Sequence, residues 1–227
     1  MVPVMVLPGL LARARGDSSD IGIRGVSAAD AHAIAELCTD SFFGAHTFSD
    51  GPVIFVQRSA LYLKVLAQIR RRIRFEDGRE CKFLVAADRR SGAIAGCVDL
   101  AVHLFNRPQH RFELTMDAKP AGAERSYSWT PYVASLAVRE EDRRKGIARQ
   151  LMRAAERTSR AWGYRELMLE VACTNEVALR FYKRQGFRVR SSDQRGTGRE
   201  PSPQPERERK PESEREFKHG SRPVALT

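Results

Sequence analysis

The sequence predicts a single mixed α/β domain, in which a mostly antiparallel sheet is flanked by helices on both faces. Its 227 residues, of which 42% are hydrophobic, suffice to bury one ordinary core. Apolar segments alternate with amphipathic helical segments in the order strand, two helices, three strands, helix, strand, helix. The strand segments are largely apolar, as expected for a sheet that is covered on both sides.

The first half of the chain provides five elements, counting the two strands of one hairpin. Ser27 is a preferred helix-capping residue, and Ala31, Ile34, Ala35 and Cys38 would share one face of the helix that follows it. The hairpin is predicted from the turn sequence Arg89-Arg90-Ser91-Gly92. The predicted elements are a strand at Ile21 to Val26, helices from Ala28 to about Asp40 and from Val53 to about Phe75, and strands at Cys81 to Ala87 and Ile94 to Phe105.

A long polar connection, Asn106 to Ser128, leads to the second half, and its length is typical of either a functional or a mobile loop. The strand Tyr132 to Val138 follows, and then the central helix. Apolar residues at helical spacing give that helix one inward stripe, formed by Ile147, Leu151, Ala154, Ala155, Thr158 and Trp162. A further apolar strand, Glu166 to Ala172, precedes the last predicted helix.

A basic hexapeptide, Arg143-Arg144-Lys145-Gly146-Ile147-Ala148, stands where the strand Tyr132 to Val138 gives way to the central helix. The start of a helix presents N–H groups without partners and the positive end of the helix dipole, so it favours an anion. Gly146 lets a phosphate approach the backbone, and arginines offer forked donors to phosphate oxygens. The hexapeptide therefore predicts a pyrophosphate site. The alternative is a solvated helix start without a ligand, since most runs of charge have no further role.

A second motif follows the apolar strand that ends at Ala172. It is Asn175-Glu-Val-Ala178-Leu-Arg-Phe-Tyr182-Lys-Arg-Gln-Gly186-Phe187. Asn175 is expected to cap the helix, and Gly186 suits the left-handed position just past the helix end. Asn175, Ala178 and Tyr182 are spaced i, i+3 and i+7, which places them on one helix face. One face can therefore line one ligand.

Together, the two motifs closely resemble those of the Gcn5-related N-acetyltransferase (GNAT) family, whose signature is Arg/Gln-x-x-Gly-x-Gly/Ala. The resemblance extends from about Pro131 to Val189. The pattern Tyr132-Val-Ala-Ser-Leu-Ala-Val138, followed by the basic hexapeptide, is also similar to plastid members of the family in plants and algae. The resemblance implies a GNAT-type domain that uses acetyl-coenzyme A as co-substrate and no metal.

The resemblance also implies which residues bind the coenzyme. The helix start would hold the pyrophosphate, while backbone groups of the preceding strand would pair with the pantetheine arm. A bulge in that strand would part it from its parallel neighbour and open a cleft for the thioester. The implied coenzyme-binding residues are Leu136, Ala137, Val138, Arg143, Arg144, Lys145, Gly146, Ile147, Ala148, Arg149, Asn175, Ala178 and Tyr182.

Two side chains are the catalytic candidates. Tyr182 matches the family's general acid, and a phenol with a pKa of about 10 stays neutral until it protonates the departing thiolate. Glu170 is the candidate base, because a carboxylate within an apolar strand is unusual and burial raises its pKa. Family members that acetylate ribosomal-protein N-termini carry Glu, Asn and Tyr at the spacings of Glu170, Asn175 and Tyr182. Each assignment has an alternative. Tyr182 would instead be an ordinary residue of an amphipathic helix, and a relay of water molecules to a different acidic residue would take the place of Glu170 as the base.

The charge distribution supports an anionic coenzyme. The chain has a net charge of +11, and residues 139–189 hold 13 basic but only 7 acidic residues. Acidic peptides or RNA would also fit this charge, but no basic segment is interleaved with aromatic residues, so nucleic acid is not the predicted partner.

The four cysteines and five histidines lack metal-ligand spacing, and the cysteines are predicted to be reduced core residues. A monomer is expected.

Three regions are predicted along the chain. Residues 1–20 would be disordered or the remnant of a transit peptide, because they are basic and contain no acid before Asp17, and their apolar part is too short to span a membrane. Residues 21–189 would form the GNAT domain. Residues 190–227, rich in Arg, Glu, Pro and Ser, would be a disordered charged tail.

The predicted tail departs from the family pattern, in which a final strand pairs beside the strand that carries Glu170. Without that strand, the sheet is expected to keep an unpaired edge near the active site, which threatens stability and acceptor binding. The resemblance to plastid proteins favours a plastid location, with the cytoplasm as the alternative.

The predicted activity is acetylation of protein N-terminal amines by direct amine attack, with lysine side chains ranked second. An N-terminal amine has a pKa of about 8, against about 10.4 for lysine, so it is more often neutral and needs a weaker base. One alternative is a small-molecule amine as acceptor. The other is an inactive coenzyme-binding module whose basic surface and tail bind RNA or a protein partner.

Overall fold

A computed structural model describes residues 3–8, 20–43, 51–74, 80–113 and 119–191. Within these ranges, the strands are β1 (Val4–Pro8), β2 (Ile21–Gly25), β3 (Cys81–Asp88), β4 (Ile94–Asn106), β5 (Arg111–Glu113), β6 (Tyr127–Val138), β7 (Glu166–Glu170) and β8 (Arg188–Ser191). The α-helices are α1 (Ala31–Phe43), α2 (Pro52–Arg74), α3 (Ile147–Ala161) and α4 (Glu176–Arg184).

The strands of the described residues form one sheet in the order β2-β3-β4-β6-β7-β1-β8, and β5 pairs with β4 off this path. Every pairing is antiparallel except that of β6 with β7, which is parallel. The sheet is therefore mixed and mostly antiparallel, as the sequence predicts.

Hydrophobic clusters cover both faces of the sheet. One cluster packs α3 and α4 against the sheet and includes Leu151, Leu169 and Tyr182. A second packs α1 and α2 against β3 and β4 on the opposite face. A third, smaller cluster draws Val4, Phe105, Phe112 and Met168 from four strands, with Val6 and Tyr132 packed against it. The predicted cover of helices on both faces is thus confirmed.

Most predicted elements occur close to their expected positions. A 3-10 turn, Ala28–Asp30, precedes α1, and Asp30 accepts hydrogen bonds from both the backbone and the side chain of Ser27. The connection predicted at Asn106 to Ser128 is partly β-structure. It contains the short strand β5, and β6 already begins at Tyr127. The inward stripe of α3 is buried at Ile147, Leu151, Ala154 and Ala155.

The expectation for the start of the chain is wrong at Val4–Pro8. This segment was assigned to a region outside the domain, but it forms strand β1 in the interior of the sheet. Its apolar side chains explain the placement, because a strand with neighbours on both edges and cores on both faces needs an unbroken apolar run. A buried Val, Met or Leu side chain contributes about 1.5–3 kcal/mol. Residues 9–19 lie outside the described residues.

The expected unpaired edge beside the strand of Glu170 is also absent from the described sheet. Strand β1 occupies the position next to β7 that the resembling family gives to its final strand. Strand β8 then pairs with the other edge of β1, so the domain extends past Val189 to Ser191. The rest of the predicted tail, residues 192–227, lies outside the described residues.

Candidate active site

The candidate site lies where strands β6 and β7 part. Their parallel pairing is limited to Tyr132 with Met168 and Val133 with Leu169. Beyond Val133, β6 continues for five residues to Val138, whereas β7 ends at Glu170. Among the described strands, the end of β6 consequently pairs on one side only, with β4. Its other edge retains backbone groups that an extended ligand can bind.

A bulge in β6 accompanies this separation. Asp99 of β4 pairs with Ala134, whereas Cys97 pairs with Ala137, so β6 holds one more residue than its partner over this stretch. Ser135, within the bulge, adopts a left-handed backbone with φ of 49°. Such a conformation is uncommon for a residue with a side chain and is characteristic of functional sites. The bulge implied by the family resemblance is therefore present, and it lies beside Leu136 and Ala137.

The segment that leads from β6 to α3 is fixed against the start of β4 by several hydrogen bonds. The N–H of Arg139 donates to the carbonyl of Ala95 at 2.9 Å, and its guanidinium donates to the carbonyl of Ile94 through Nε (3.1 Å) and Nη2 (2.9 Å). Gly96 permits close packing here, because a Cβ atom at this position would lie 2.9 Å from the carbonyl oxygen of Ala137 and 3.2 Å from Ile147. The helix start is thus held on a rigid part of the sheet.

Gly146 is the residue just before α3 and has a φ of 85°, a left-handed conformation that favours glycine. Nothing lies within 4 Å of the position that a Cβ atom would take there. The side chains of Arg143, Arg144 and Lys145 are exposed around it, and so is that of Arg149 in the first turn, whereas Ile147 points into the core. The first turn therefore faces open space with N–H groups and positive charge. These residues fit a diphosphate.

Two of the basic side chains are already oriented by the protein. Arg143 donates through Nε to the carbonyl of Val138 at 3.3 Å, which ties the loop to the last residue of β6. Lys145 donates to Asp142 at 2.8 Å. Arg144 has a φ of 63°, so the loop contains a second left-handed residue just before Gly146. Phosphate binding would therefore meet a preformed loop.

Helix α4 presents the second predicted motif. The side chain of Asn175 accepts a hydrogen bond from the N–H of Ala178 at 3.1 Å, which confirms its predicted role as a cap. Gly186 has a φ of 93° just past the helix end, also as predicted. Tyr182 is only 8% exposed, and its ring contacts Phe181 and Phe187 at centroid distances of 5.2 and 5.6 Å.

Burial controls the ionisation of Tyr182. It raises the pKa of the phenol to about 12, so the hydroxyl keeps its proton at neutral pH. Tyr182 belongs to the same hydrophobic cluster as Ile147, and Leu136, Val138 and Ala178 pack against that cluster. The predicted coenzyme-binding residues of β6, α3 and α4 thus surround one continuous core.

Glu170 ends strand β7 beside the point of separation. Its carboxyl group is half-buried, and this burial raises its pKa, while the neighbouring Tyr132 phenol acts in the opposite direction. The raised pKa makes the carboxylate a stronger base than one in water. Glu170 lies on the same face of β7 as Met168, because alternate residues of a strand share a face.

Tyr132 is a site residue that the sequence reasoning did not select. Burial raises the pKa of its phenol, and the nearby Glu170, Tyr182 and Asp99 raise it further. Tyr132 therefore lies close to both catalytic candidates. Its ring packs on Phe112 at a centroid distance of 4.5 Å and meets His103 edge-on at 5.9 Å. The sequence does mark Tyr132 as the first residue of the apolar segment Tyr132–Val138. It does not show which residue lies beside Tyr132 on the neighbouring strand.

Asp99 and His103 extend this polar group along β4. Asp99 is buried and forms an ion pair with Arg72 of α2 at 3.2 Å. Burial, assisted by the charge of Arg72, lowers the pKa of His103 to about 4, so the imidazole is neutral at physiological pH. The face of the sheet next to Glu170 thus carries the Arg72–Asp99 ion pair and the neutral imidazole of His103.

Comparisons with known proteins agree with this geometry. The sequence profile of the acetyltransferase (GNAT) family matches residues 54–187. The chain belongs to this family. GNAT acetyltransferases use acetyl-coenzyme A, and the start of α3 and helix α4 carry the two motifs on which the resemblance rests.

Curated relatives match shorter segments. The chain is 40% identical over 75 residues to the chloroplastic GCN5-related N-acetyltransferase 4 of Arabidopsis thaliana, a match that covers 33% of this chain and 26% of the relative. It is 41% identical over 56 residues to N-alpha-acetyltransferase 30 of Schizosaccharomyces pombe, covering 25% and 37% of the two chains. The chain thus spans well under half the length of these relatives.

A solved structure shows the same fold. AAC(6')-Iy, in complex with the bisubstrate analogue CoA-S-monomethyl-acetylneamine, superposes with a TM-score of 0.53 at 16% identity, over 77% of this chain and 95% of that chain.

Within the described residues, no helix is long and apolar enough to cross a membrane. The same residues contain no group of three or more His, Cys, Asp or Glu side chains placed to hold a metal ion. Cys38, Cys81, Cys97 and Cys173 are free thiols, and only Cys38 and Cys97 are fully buried.

Proposed function

We propose that this protein transfers the acetyl group of acetyl-coenzyme A to the N-terminal amine of a protein or peptide. The observation that carries the proposal is the cluster of Glu170, Tyr132 and Tyr182 at the point where β6 and β7 part. One half-buried carboxyl lies there beside the Tyr132 phenol and a bulged strand end, and the Tyr182 phenol is near enough to raise the pKa of Tyr132. This set provides a base, an acid and backbone donors within one site.

The proposed roles follow from the ionisation of each group. Glu170 accepts, directly or through water, the proton that the attacking ammonium must lose, since its carboxylate is made more basic by burial. The freed amine forms a bond to the thioester carbonyl carbon. The backbone N–H group of Leu136, in the bulge, stabilises the oxyanion that results. Tyr182 then protonates the sulfur as the carbon–sulfur bond breaks, and the second proton that the nitrogen loses restores the phenol, which yields the amide and free coenzyme A.

The raised pKa of Tyr182 is compatible with this role. The burial that disfavours a phenolate also disfavours a thiolate in the same cleft, so both anions rise in energy together. Proton transfer from the phenol to the departing sulfur neutralises the anion that forms as the bond breaks. A phenol with a pKa of about 12 also remains protonated between turnovers.

Binding of the coenzyme is proposed for the residues around Gly146. Arg143, Arg144, Lys145 and Arg149 surround the helix start with positive charge, while the N–H groups of Ile147 and Ala148 belong to its first turn. Leu136, Ala137 and Val138 offer backbone groups to the pantetheine arm, as the free edge of β6 permits. Asn175 and Ala178 line the α4 side.

An N-terminal amine is the favoured acceptor for two reasons. Its pKa of about 8 demands less of the base than the pKa of about 10.4 of lysine. The name of the fission-yeast relative, an N-alpha-acetyltransferase, supports the same acceptor. Lysine side chains are proposed as secondary acceptors. The chloroplastic relative supports a plastid location.

The test is acetyl transfer from deuterium-labelled acetyl-coenzyme A by the purified full chain. The acceptors are pairs of peptides that contain one internal lysine and have either a free or a formylated N-terminus. Tandem mass spectrometry locates the label. We expect rapid labelling of free N-termini and slower labelling of lysine in the blocked peptides. Label confined to polyamines or aminoglycosides, supplied in a parallel reaction, would overturn the proposed acceptor. Coenzyme binding without any transfer would overturn the activity itself.

A further inference from the structure

Strand β1 holds an interior position in the sheet, between β7 and the edge strand β8. It pairs with β7 over five residues, from Val4 opposite Glu170 to Pro8 opposite Glu166. Its other edge pairs with β8, where Met5 lies opposite Val189. Strands β7 and β8 therefore border a slot one strand wide, and Val4–Pro8 fills it.

The side chains of β1 enter two cores. Met5 and Leu7 are 0% and 8% exposed and join the cluster that contains Tyr182 and Phe187. Val4 is 2% exposed and packs with Phe105, Phe112 and Met168 on the opposite face. A shift of one residue would exchange these two sets of side chains, so the register of β1 in the slot is strongly specified.

Strand β1 also controls the chain on both sides of helix α4. Before the helix, the backbone of Glu170 pairs with Val4, and the N–H of Val171 donates to the carbonyl of Pro3 at 3.4 Å. After the helix, β8 is paired with β1 and not with β7. Helix α4, which carries Tyr182, thus has both its entry and its exit tethered to β1.

The start of α3 has a different anchor. Arg139 and the end of β6 are bound to β4, and Gly96 of β4 packs against Ile147. The hydrogen bonds of this anchor do not involve β1, although Ile147 shares a hydrophobic cluster with Met5 and Leu7. Loss of β1 is therefore expected to displace Glu170 and Tyr182 more than the anion-binding helix start.

We infer that the slot between β7 and β8 is a binding site for one extended apolar strand, that Val4–Pro8 is its resident occupant, and that occupancy positions Glu170 and Tyr182 for catalysis. The last part of this inference rests on the proposed function. The occupant is recognised by backbone hydrogen bonds along both edges and by apolar side chains on both faces, as in other cases of strand addition. The slot is normally filled by a segment of its own chain. It also accepts a separate peptide that has the sequence of this segment.

The experiment uses the full chain with a protease cleavage sequence placed within residues 9–19. After folding and cleavage, a fluorescent peptide with the sequence of residues 1–10 is added in excess, and its incorporation is followed by fluorescence anisotropy. We expect exchange to occur with this peptide. A peptide in which Met5→Lys and Leu7→Lys are combined should not enter the slot. Equal incorporation of both peptides, or of neither, would overturn the strand-binding site.

Turnover and coenzyme affinity are then measured on cleaved protein that is loaded with the native peptide or depleted of any peptide. We expect depletion to lower kcat at least tenfold, to change the Kd for coenzyme A less than twofold, and to be reversed by the native peptide. Full turnover without the strand, or loss of coenzyme binding together with turnover, would overturn the positioning role. If the intact protein transfers no acetyl group, the proposed function fails, but the anisotropy result still decides the strand-binding site.

Because removal of β1 also threatens folding, a milder variant of the intact chain provides a second measurement. Val4→Ala loosens the end of β1 that faces Glu170. Val65→Ala, which removes the same atoms from a half-buried site on α2, is the matched control. We expect Val4→Ala to lower kcat at least threefold with an unchanged KM for acetyl-coenzyme A, and Val65→Ala to leave both constants unchanged. Equal effects of the two substitutions would contradict the inference.

Discussion

Tyr132 and Glu170 lie beside one another at the point where the parallel strands β6 and β7 separate, and each shifts the pKa of the other. The Tyr132 phenol lowers the pKa of the Glu170 carboxyl, so it favours the ionised form of Glu170 and opposes the effect of its burial. The balance between these two effects sets the basicity of the proposed base.

Replacement of Tyr132 by Phe should therefore shift the pH dependence of turnover. Without the donor, the pKa of Glu170 rises further, so the acidic limb of the profile of kcat against pH moves to higher pH. Steady-state kinetics across the acidic limb would measure the shift. Tyr164→Phe is the control, because it removes a hydroxyl that donates to Glu80 instead. An unmoved acidic limb in the Tyr132 variant would show that this phenol does not tune the base.

Glu170→Gln should lower activity and alter the pH dependence of stability. The pKa of Glu170 is higher in the folded state than in the unfolded chain, so folding is favoured by the protonated carboxyl. This contribution is present in full below the unfolded pKa and is lost as the pH rises through the folded pKa. The neutral amide avoids that loss, and Tm at neutral pH should rise relative to the wild type. Calorimetry at acidic and neutral pH checks this, and a Tm difference that is independent of pH would argue against a raised pKa.

Tyr182→Phe should abolish most turnover while preserving coenzyme binding. Loss of a positioned general acid costs about 10²–10⁴-fold in rate. The ring contacts with Phe181 and Phe187 are kept by phenylalanine, so folding should be little affected. The relevant measurements are kcat for acetyl transfer and the Kd for coenzyme A from isothermal titration. Full turnover at every pH with unchanged affinity would exclude Tyr182 as the acid.

Gly146→Ala tests the helix start. A Cβ atom at a φ of 85° strains the backbone by about 1–2 kcal/mol and projects into the space proposed for the phosphates. Gly92→Ala is a matched control, because Gly92 has a φ of 74° with nothing within 4 Å of its Cβ position and lies in the hairpin between β3 and β4. Both variants should lose similar stability. Only Gly146→Ala should bind coenzyme A about tenfold more weakly, as expected for the loss of one charge-assisted hydrogen bond.

Comparable affinities of the two glycine variants for coenzyme A would mean that the start of α3 does not hold the phosphates. Isothermal titration gives the affinities, and thermal unfolding verifies that the two substitutions are equally strained. Gly146→Glu adds a negative charge at the same place and should weaken binding further.

Local sequence was sufficient for the parts of the site that depend on neighbours along the chain. Asn175 caps α4 and Gly186 follows its end, because both preferences arise from the backbone within a few residues. The position of Gly146 and its basic neighbours at the start of α3 was predicted for the same reason. The fold class was predictable too, since the alternation of apolar strands and amphipathic helices is encoded segment by segment.

Pairing between distant segments was not predictable in this way. Tyr132 becomes a partner of Glu170 only when β6 and β7, separated by the whole of α3, lie side by side. Nothing in the seven residues from Tyr132 to Val138 specifies that contact.

The sequence by itself determined the fold class and the motifs at the starts of α3 and α4, because each depends on short-range preferences of the backbone. It also supplied the two catalytic candidates, Tyr182 through the family resemblance and Glu170 as a carboxylate within an apolar strand. Only the tertiary structure decided that Val4–Pro8 fills the sheet beside Glu170 and that β8 pairs with it. The apolar run in Val4–Pro8 is compatible with a leader segment or a buried strand. The choice between these rests on whether distant edges and cores are available to bury it, and that property belongs to the assembled sheet.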